Sequence, residues 1–537
     1  MSSVPNTPTA APATPSAGRV PAPAAALVGA IAVGAALAVG ELAAGFTGGP
    51  SPLVAVGQVV VDYQPPGAKD LVVGLFGTND KLALQVLVAI VALAIGAGLG
   101  VLGRGRPTAA SLAIGAFAVA GLLASLRDPE SSLPVAVLVA AGETLVGSSL
   151  LGWLLDSAVV RAAPTREGGS PAGPAGGMPD WARRRLLIRG GGIAAASVVA
   201  VGLGRSLTAR SAAPTTSTPF PEPQQPASLP NGADISTPDL TAEGLTPIVV
   251  PNEQFYRIDT ALLVPSVDVA TWTLRVHGLV DREVTLTYDQ LIQLPIIEQY
   301  VTIACVSNEV GGNLVGNASW RGVPLRTVLD MAGVQKTATQ LVGRSVDGFT
   351  VGMPVAWVMN ELRVPLIAIG MNGQPLPRVH GYPARLIVPG LYGYVSATKW
   401  LSEIELTTMD AFDAYWVRLG WAKEAPILTQ SRIDVPRDGA TVKAGPAAIA
   451  GVAWAPDRGI DRVEVSIDGG PWQAALFSEE ISRATWVQWV LRWNATTGDH
   501  VAEVRATDAR GEVQTADVTT PFPDGARGHH KIGFHVA

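Results

Sequence analysis

The stretch Tyr300-Val301-Thr302-Ile303-Ala304-Cys305-Val306-Ser307-Asn308-Glu309 contains the single cysteine of this 537-residue chain. One cysteine cannot form a disulfide within its own chain, so Cys305 is a buried structural residue, a nucleophile or a soft metal ligand. An apolar, strand-like run over residues 300–304 leads to it, and a loop rich in glycine and asparagine follows. This setting favours a ligand, although a structural cysteine is the commoner case for an isolated thiol.

Two downstream segments accompany the cysteine: Trp320-Arg321-Gly322-Val323-Pro324-Leu325 and Val388-Pro389-Gly390-Leu391-Tyr392-Gly393. Together with the Cys305 stretch they resemble the sulfite-oxidase superfamily of molybdenum enzymes. In that superfamily a cysteine thiolate binds molybdenum, and a pyranopterin dithiolene supplies the other sulfurs. The resemblance implies a molybdenum-molybdopterin cofactor, with Cys305 as its protein ligand and catalytic residue. A thiolate suits a metal that other sulfurs already hold.

Asn252 and the pair Phe255-Tyr256 stand near the start of the soluble half. Their spacing resembles the opening of the cofactor domain in the branch of the periplasmic methionine-sulfoxide reductase. The resemblance implies that all three contact the pterin, and aromatic edges and amides suit such a heterocycle. The alternative is an entry strand whose aromatic side chains fill the core.

A third matching region holds His380, Arg385 and the segment 396–399. The resemblance implies that His380 contacts the pterin, and that Arg385 and the segment bind its terminal phosphate. An arginine forms paired, charge-assisted hydrogen bonds to a phosphate. A surface histidine is the alternative for His380 taken alone. The segment contributes Ser396, Ala397, Thr398 and Lys399.

The chain departs from the sulfite oxidases directly after the cysteine. Those enzymes have an Ala-Gly-Asn-Arg-Arg run, whereas this chain has Val306-Ser307-Asn308-Glu309-Val310. A negative charge at Glu309 would weaken the attraction for sulfite. We therefore expect oxygen-atom transfer to or from a small neutral substrate such as a sulfoxide. A sulfite dehydrogenase that draws its cations from Arg257 or Arg321 is the alternative.

The first half of the chain has the composition of a membrane domain. Four runs are long enough to cross a bilayer, which needs about 20 apolar residues, and a fifth run is weaker. They predict about five helices within residues 1–205. The runs cover residues 22–46, 82–103, 108–126 and 133–155, with the weaker one near 190–204.

The basic residues predict an orientation. Arg104 and Arg106 lie between the second and third runs, and Arg161, Arg166 and the triplet 183–185 lie between the fourth and fifth. The positive-inside rule then places the N-terminus in the cytoplasm and the soluble half outside the cell membrane. The triplet also resembles a twin-arginine export signal with small residues at 211–213, a route for proteins that fold around a cofactor before export. A purely topological anchor is the alternative.

Two acids lie inside the apolar runs, where a carboxyl group is costly and often functional. Glu41 is near the end of its run, so we expect it to reach water, whereas Glu143 is nearer the middle, where a proton or quinone role is one hypothesis. The first histidine is His277, so paired histidines cannot bind haem in this half. Electrons would then need a separate partner: a quinone, a haem subunit or a cytochrome.

The soluble half divides into three predicted parts. Residues 206–244 are rich in proline, serine, threonine and alanine and indicate an extended linker. Residues 245–424 form the predicted molybdopterin domain. Residues 425–537 alternate in polarity and turn at Asp468-Gly469, which is typical of β-hairpins and favours an immunoglobulin-like sandwich. This part resembles the dimerisation domain of sulfite oxidases, which implies a homodimer as one assembly.

The predicted fold is thus multidomain: an N-terminal α-helical membrane bundle, an α+β sulfite-oxidase-like molybdopterin domain and a C-terminal immunoglobulin-like β-sandwich. A net charge of −6 without a strongly basic block argues against nucleic acid as a partner. We expect a membrane-anchored, extracytoplasmic molybdopterin oxidoreductase. An alternative of another class is a non-catalytic surface protein that binds its partner through the sandwich.

Overall fold

The computed structural model describes residues 20–64, 80–128, 131–158, 180–211, 219–229 and 240–537. The chain divides into two compact units, Met1–Ala213 and Pro214–Ala537. The first is helical, and the second consists of β-sheets with short helices.

Six helices form the described part of the first unit. Five of them are long and apolar enough to cross a membrane, whereas α2 has only 11 residues. Glycines let the long helices approach closely: a Cβ on Gly29 of α1 would overlap the backbone of Gly96 and Gly100 on α3. The helices are α1 (Ala22–Thr47), α2 (Pro52–Asp62), α3 (Asp80–Gly103), α4 (Pro107–Ser125), α5 (Leu133–Ala158) and α6 (Asp180–Ser211).

Three features of this unit differ from the sequence-based expectation. Helix α2 was not predicted, because its apolar run is too short to give a spanning signal. The weak fifth run belongs to a longer helix, α6, that continues six residues into the predicted linker. Glu41 does not reach water, since it is 6% exposed and bonded to Ser51 and Arg205. Arg161 and Arg166, which were used to predict the orientation, lie outside the described residues, as do residues 212–213 of the predicted export signal.

The predicted linker is also less free than expected. Its residues 219–229 lie against the catalytic part of the second unit, where the Gln224 N–H donates to Ile296 O at 2.8 Å and the Glu298 N–H donates to Gln225 O at 2.8 Å. The guanidinium of Arg321 lies 4.5 Å from the ring centre of Phe220. These contacts arise because an extended chain can pair with an open strand edge.

Two sheets build the catalytic part of the second unit. One has the strand order β2-β1-β10-β5-β6, and the other has the order β3-β4-β7-β8 with β9 paired to β7. Buried Leu, Ile, Val and Trp side chains form their common core. The strands are β1 (Thr273–Gly278), β2 (Val284–Thr287), β3 (Ile297–Ala304), β4 (Val315–Pro324), β5 (Gln340–Ser345), β6 (Thr350–Pro354), β7 (Leu366–Met371), β8 (Gln374–Pro375), β9 (Arg385–Ile387) and β10 (Leu401–Thr407). Four short helices connect them: α7 (Tyr288–Leu291), α8 (Leu325–Ala332), α9 (Val355–Val358) and α10 (Gly393–Ser396).

The C-terminal part is a β-sandwich of two sheets, ordered β11-β13-β17-β16 and β12-β19-β18-β14-β15. Val463 and Val465 point into its core, and the Asp468-Gly469 turn has positive φ at both residues, as the sequence suggested. The strands are β11 (Gln430–Val435), β12 (Thr441–Val442), β13 (Gly445–Trp454), β14 (Ile460–Ile467), β15 (Gln473–Ala474), β16 (Leu476–Phe477), β17 (Val487–Ala495), β18 (Gly498–Asp508) and β19 (His530–Val536).

The sandwich is bonded to strand β3, the strand that leads to the cysteine. The Thr302 N–H donates to Ala484 O at 2.8 Å, and the Trp486 N–H donates to Thr302 Oγ1 at 2.8 Å. The indole of Trp486 is fully buried and donates to Ile248 O at 2.8 Å. Strand β3 is therefore held by β4 within its sheet and by the sandwich outside it.

We expect Thr302→Val to destabilise the soluble unit by about 2 kcal/mol, because it leaves the buried Trp486 N–H and Asn317 Oδ1 without the hydroxyl that bonds both. Thermal and denaturant unfolding of the full chain in detergent would measure the change. Thr441→Val is the matched control, since Thr441 is exposed on β12. Equal losses in both variants would contradict a special role for the Thr302 contact.

Candidate active site

Cys305 follows the last residue of β3 and begins a tight loop. Cys305 is buried, with 8% of its surface exposed. The Cys305 N–H donates to Leu314 O at 2.9 Å, and Cys305 O accepts the Asn308 N–H at 3.1 Å. Both ends of the loop are therefore tied at the cysteine, which restricts where the thiol can lie.

The loop after the cysteine is shaped by an amide and two glycines. Asn308 Oδ1 accepts the Leu314 N–H at 2.7 Å, and a Cβ on Gly312 would lie 2.6 Å from the same oxygen. Gly311 has φ of 77°, and a Cβ there would overlap the ring of His530. Since His530 lies on the sandwich, a larger residue at position 311 would separate the loop from it.

Glu309 lies on this loop and is exposed to solvent. The nearby guanidinium of Arg432 donates to Gly312 O at 2.8 Å and to Asp434 at 2.6 Å. The positive charge of Arg432 is thus compensated by the carboxylate of Asp434. Neither Glu309 nor Arg432 therefore supplies an unpaired positive charge beside the loop.

The predicted pterin contacts Asn252, Phe255, Tyr256 and His380 lie together. Phe255 stacks on Tyr256 with ring centres 5.3 Å apart and meets the edge of the His380 ring at 5.8 Å. It also meets Trp320 at 5.8 Å and is 5% exposed, so Phe255 packs in the core beside the predicted pterin contacts. Tyr256 is half-buried, and burial raises the pKa of its phenol, which the Arg385 guanidinium opposes.

Asn252 belongs to an amide cluster that the sequence did not reveal. Its Oδ1 accepts from Asn372 Nδ2 at 2.9 Å, and Asn372 Oδ1 accepts the Ser319 N–H at 2.9 Å. Asn372 has φ of 51°, which asparagine tolerates better than most residues. The Asn372-Gly373 dipeptide is a turn signal that could have marked this position.

His380 is buried and holds its Nε2–H toward a carbonyl, Asn252 O, at 3.0 Å. Burial lowers the pKa of His380 to about 4, and the positive charges of Arg385, Lys399 and Arg257 act in the same direction. The imidazole is therefore neutral near pH 7. It is a hydrogen-bonding group there and not a cation.

Arg385 is buried against an aromatic ring. Its guanidinium lies 5.0 Å from the ring centre of Trp320, and its Nη1 donates to His380 O at 3.0 Å. Burial lowers the pKa of Arg385 to about 10, which leaves the group charged at neutral pH. Its Nε has no hydrogen-bond partner among the described residues. A buried cation with an unused donor fits an anionic ligand such as a phosphate.

Lys399 lies in a charged triad with Asp259 and Arg257. Its Nζ is 3.0 Å from Asp259 Oδ2, which also accepts from Arg257 Nε at 2.9 Å. Burial lowers the pKa of Lys399 to about 8, and the Asp259 carboxylate opposes that effect. Asp259 is a site residue that sequence reasoning missed, because its partner Lys399 is 140 residues away in the sequence.

The polar groups of residues 396–398 point toward the interior of the protein. Ser396 Oγ donates to Tyr392 O at 2.9 Å, and the Ala397 N–H donates to Gly393 O at 2.9 Å. Thr398 Oγ1 faces Gly343 on β5 and lacks a partner among the described residues. The segment lies beside the site, but Lys399 contributes its only charge.

Tyr392 is a site residue that sequence reasoning missed, although the Val388–Gly393 motif contains it. It is 4% exposed, and burial raises its pKa to about 12, with further influence from Cys305 and Arg527. Its hydroxyl oxygen accepts the Leu428 N–H at 3.5 Å. Arg527 is itself paired with Asp524, with bonds of 3.0 and 2.6 Å. A protonated phenol therefore lies in the same buried region as the thiol.

We expect His380→Gln to flatten the dependence of stability on pH. The pKa of His380 is about 4 in the folded protein and 6.5 in the unfolded chain. Between these two pH values the unfolded chain binds more protons than the folded protein, so the free energy of unfolding falls as pH drops from about 6.5 to about 4. The loss amounts to on the order of 3 kcal/mol between about pH 7 and pH 4. Glutamine keeps a donor for Asn252 O but does not titrate. Melting midpoints of the full chain across pH would measure this, and identical slopes in both proteins would contradict it.

Comparisons with known proteins find matches for the catalytic part of the chain. A family model described as the oxidoreductase molybdopterin binding domain matches residues 261–416. Human mitochondrial sulfite oxidase is 31% identical over 333 residues, which cover 53% of this chain and 60% of the human protein. Sulfite oxidase of Arabidopsis thaliana is 27% identical over 50% of this chain and 83% of the plant protein. The solved structure of the sulfane dehydrogenase SoxCD of Paracoccus pantotrophus matches with 24% sequence identity and a TM-score of 0.45. The match covers 52% of this chain and 77% of the SoxCD chain.

The chain thus spans 60% of the length of the human relative. The matched family model lies within the predicted catalytic part and contains Cys305, His380, Arg385 and the 396–399 segment. The non-catalytic alternative does not agree with these matches. The soluble half is therefore similar to sulfite oxidases, and its match to the molybdopterin binding domain implies a cofactor of molybdenum bound to molybdopterin.

Proposed function

We propose that the protein is a membrane-anchored, extracytoplasmic enzyme that transfers an oxygen atom to or from a small uncharged substrate. It exchanges electrons with a separate carrier: a quinone, a haem subunit or a cytochrome. We choose an uncharged substrate because most cations near the cysteine are already paired with a carboxylate.

Three site cations illustrate this compensation. Arg527 is paired with Asp524, and Lys399 and Arg257 share Asp259. Among the cations of the site in the described part of the chain, Arg385 alone lacks a carboxylate partner, and its unused Nε suits the cofactor phosphate. Little positive charge then remains for a dianion such as sulfite, whereas a neutral sulfoxide needs none.

Arg321 was one proposed source of cations for a sulfite dehydrogenase. It is 7% exposed and lies 3.3 Å from Glu222 and 3.6 Å from Glu298. Arg257, the other source, is bound by Asp259. Sulfite dehydrogenation stays the second candidate, because the curated relatives described above are sulfite oxidases.

The cofactor would be held at several points. Cys305 would bind the metal, Arg385 and Lys399 would bind the phosphate, and Asn252, Tyr256 and His380 would contact the pterin. Phe255 would support them from the core, and Ser396, Ala397 and Thr398 would fix the backbone that carries Lys399. When bound, the group supplies a redox-active molybdenum centre for oxygen-atom transfer.

The chain's own contribution is hydrogen bonding in a dry site. Burial raises the pKa values of Tyr256 and Tyr392, so both phenols keep their protons at neutral pH. A phenol O–H in the same buried region as the thiol can donate to an oxygen of the substrate and orient it. Neutral His380 and charged Arg385 keep their protonation states through the same pH range.

Membrane placement is supported by five helices of spanning length and composition. The basic residues Arg104 and Arg106 and the triplet 183–185 support a cytoplasmic N-terminus and a catalytic unit on the outer side of the cell membrane. The triplet also supports export of the folded, loaded unit by the twin-arginine route.

The boundaries 245–424 and 425–537 stay our proposal for the two soluble domains. Separate hydrophobic cores support them, one mostly in each part. Two packed sheets of four and five strands support an immunoglobulin-like class for the sandwich. A homodimer formed through this sandwich is proposed by analogy with the sulfite-oxidase dimerisation domain.

We expect wild-type protein to contain about one molybdenum per chain, and Cys305→Ala to lose most of it, because one metal–thiolate bond is removed. Metal analysis by mass spectrometry and fluorescence of the oxidised pterin would measure both components. Unchanged melting of the variant would show that the loss is local. Equal molybdenum content and equal activity in the two proteins would contradict the ligand role.

We expect the wild-type protein to reduce methionine sulfoxide faster than it oxidises sulfite, when both are assayed with artificial electron mediators. Asp524→Asn releases the positive charge of Arg527 near Tyr392, so it should lower the KM for sulfite several-fold and change sulfoxide turnover less. Asp517→Asn, which removes an exposed charge from the same segment, is the control. Faster turnover of sulfite by the wild type would favour the dehydrogenase instead.

A further inference from the structure

The helical unit contains a cavity beside its shortest helix. Helix α2 has 11 residues and is about 16 Å long, roughly half of the hydrocarbon thickness of a bilayer. Its first residue, Pro52, fits between two glycines: a Cβ on Gly40 would lie 2.9 Å from Pro52 Cδ, and one on Gly121 would lie 3.0 Å from Pro52 Cβ. Beside α2, between α1, α3 and α4, lies a cavity of about 150 Å³.

The lining of this cavity is apolar with one exception. Val33, Leu53, Ile95 and Phe117 are typical of its walls, and Glu143 of α5 is the only charged side chain among the described residues that line it. An apolar space of this volume accommodates a benzene-sized ring, and exposed side chains such as Val91 and Phe117 leave it open on one side. The walls therefore select an apolar ring or chain, and Glu143 selects a polar atom on it.

One carboxyl oxygen of Glu143 is left without a partner by the described residues. Its residue is 5% exposed, and its Oε1 has no hydrogen-bond partner in the described part of the chain. A Cβ on Gly40 would overlap this oxygen, so the glycine makes room for the carboxyl group. A buried polar atom without a partner costs free energy, which a ligand that bonds to it would recover.

The other acid of this unit shows the contrast. Glu41 Oε1 accepts from Ser51 Oγ at 2.6 Å, and its Oε2 accepts from Arg205 Nε at 3.2 Å. Glu41 is thus bonded by the protein itself, and Arg205 balances its charge. Among the described residues Glu143 has no such ion pair, so its burial is not explained in the way that explains Glu41.

We propose that this cavity binds the ring of a membrane quinone or quinol, with Glu143 as its polar anchor. A carboxyl O–H donates to a quinone carbonyl, and a carboxylate accepts from a quinol hydroxyl, so the same side chain suits both redox forms. Among the described residues that line the cavity, none is a cation that would bind a lipid phosphate. The identity of the occupant rests on the proposed oxidoreductase function, which needs an electron carrier.

The test measures binding of a short-chain quinone to the purified full chain in detergent, on preparations whose molybdenum content is known. Ala92 lines the cavity on α3, whereas Ala94, two residues along, is exposed on that helix. We expect saturable binding by the wild type and by Ala94→Phe, and binding at least about tenfold weaker for Ala92→Phe, whose ring fills the cavity.

The anchor is tested separately. Glu143→Leu should weaken quinone binding by about tenfold, and Glu143→Gln, which keeps an N–H donor, should weaken it less. An alkylbenzene of the same length, which has no carbonyl oxygen, should bind more weakly than the quinone and should not respond to Glu143→Leu.

Two results would overturn the proposal. One is the absence of saturable quinone binding by wild-type protein that is fully loaded with molybdenum, which leaves the catalytic proposal standing. The other is equally tight binding of the alkylbenzene, which would make the cavity an acyl-chain pocket. Binding by protein that shows no oxygen-atom transfer would instead support this site and count against the proposed substrate.

Discussion

The hydrogen bonds that hold strand β3 on both sides determine where the Cys305 thiol lies. Strand β4 pairs with β3 through eight residue positions, and the sandwich bonds to Thr302 through Ala484 and Trp486. The loop after the cysteine returns to it through Leu314. A metal ligand must be fixed before the metal arrives, and a buried strand end gives a thiol that fixed position. The C-terminal sandwich therefore supports the proposed metal site directly.

Burial determines the chemistry around this thiol. It lowers the pKa of His380 to about 4 and so keeps this imidazole neutral, and it raises the pKa of Tyr392 further above neutral pH. Arg385 stays charged despite burial, since its pKa of about 10 still exceeds neutral pH. In a site of low polarity an uncompensated charge is costly, so Asp259 and Asp524 balance most of the cations. The remaining donor capacity, at Arg385 Nε and the phenols, suits an anionic cofactor and a neutral substrate.

Much of this architecture follows from the sequence, and the misses have physical causes. The long spans and the Asp468-Gly469 turn depend on local composition, which the sequence displays directly. Asp259 and Tyr392 were missed because their roles depend on partners distant in the chain. The burial of Glu41 was missed for the same reason, since Arg205 is 164 residues away. Short helices such as Pro52–Asp62 lie below the length at which hydropathy is informative.

The bond between Cys305 and molybdenum is the central claim, and X-ray absorption at the molybdenum edge tests it most directly. The account predicts that the metal in the wild-type protein has one more sulfur neighbour than the metal that remains bound in Cys305→Ser. The serine variant keeps nearly the same shape, so its loop should still pair with Leu314. The same number of sulfur neighbours in both proteins would contradict the account.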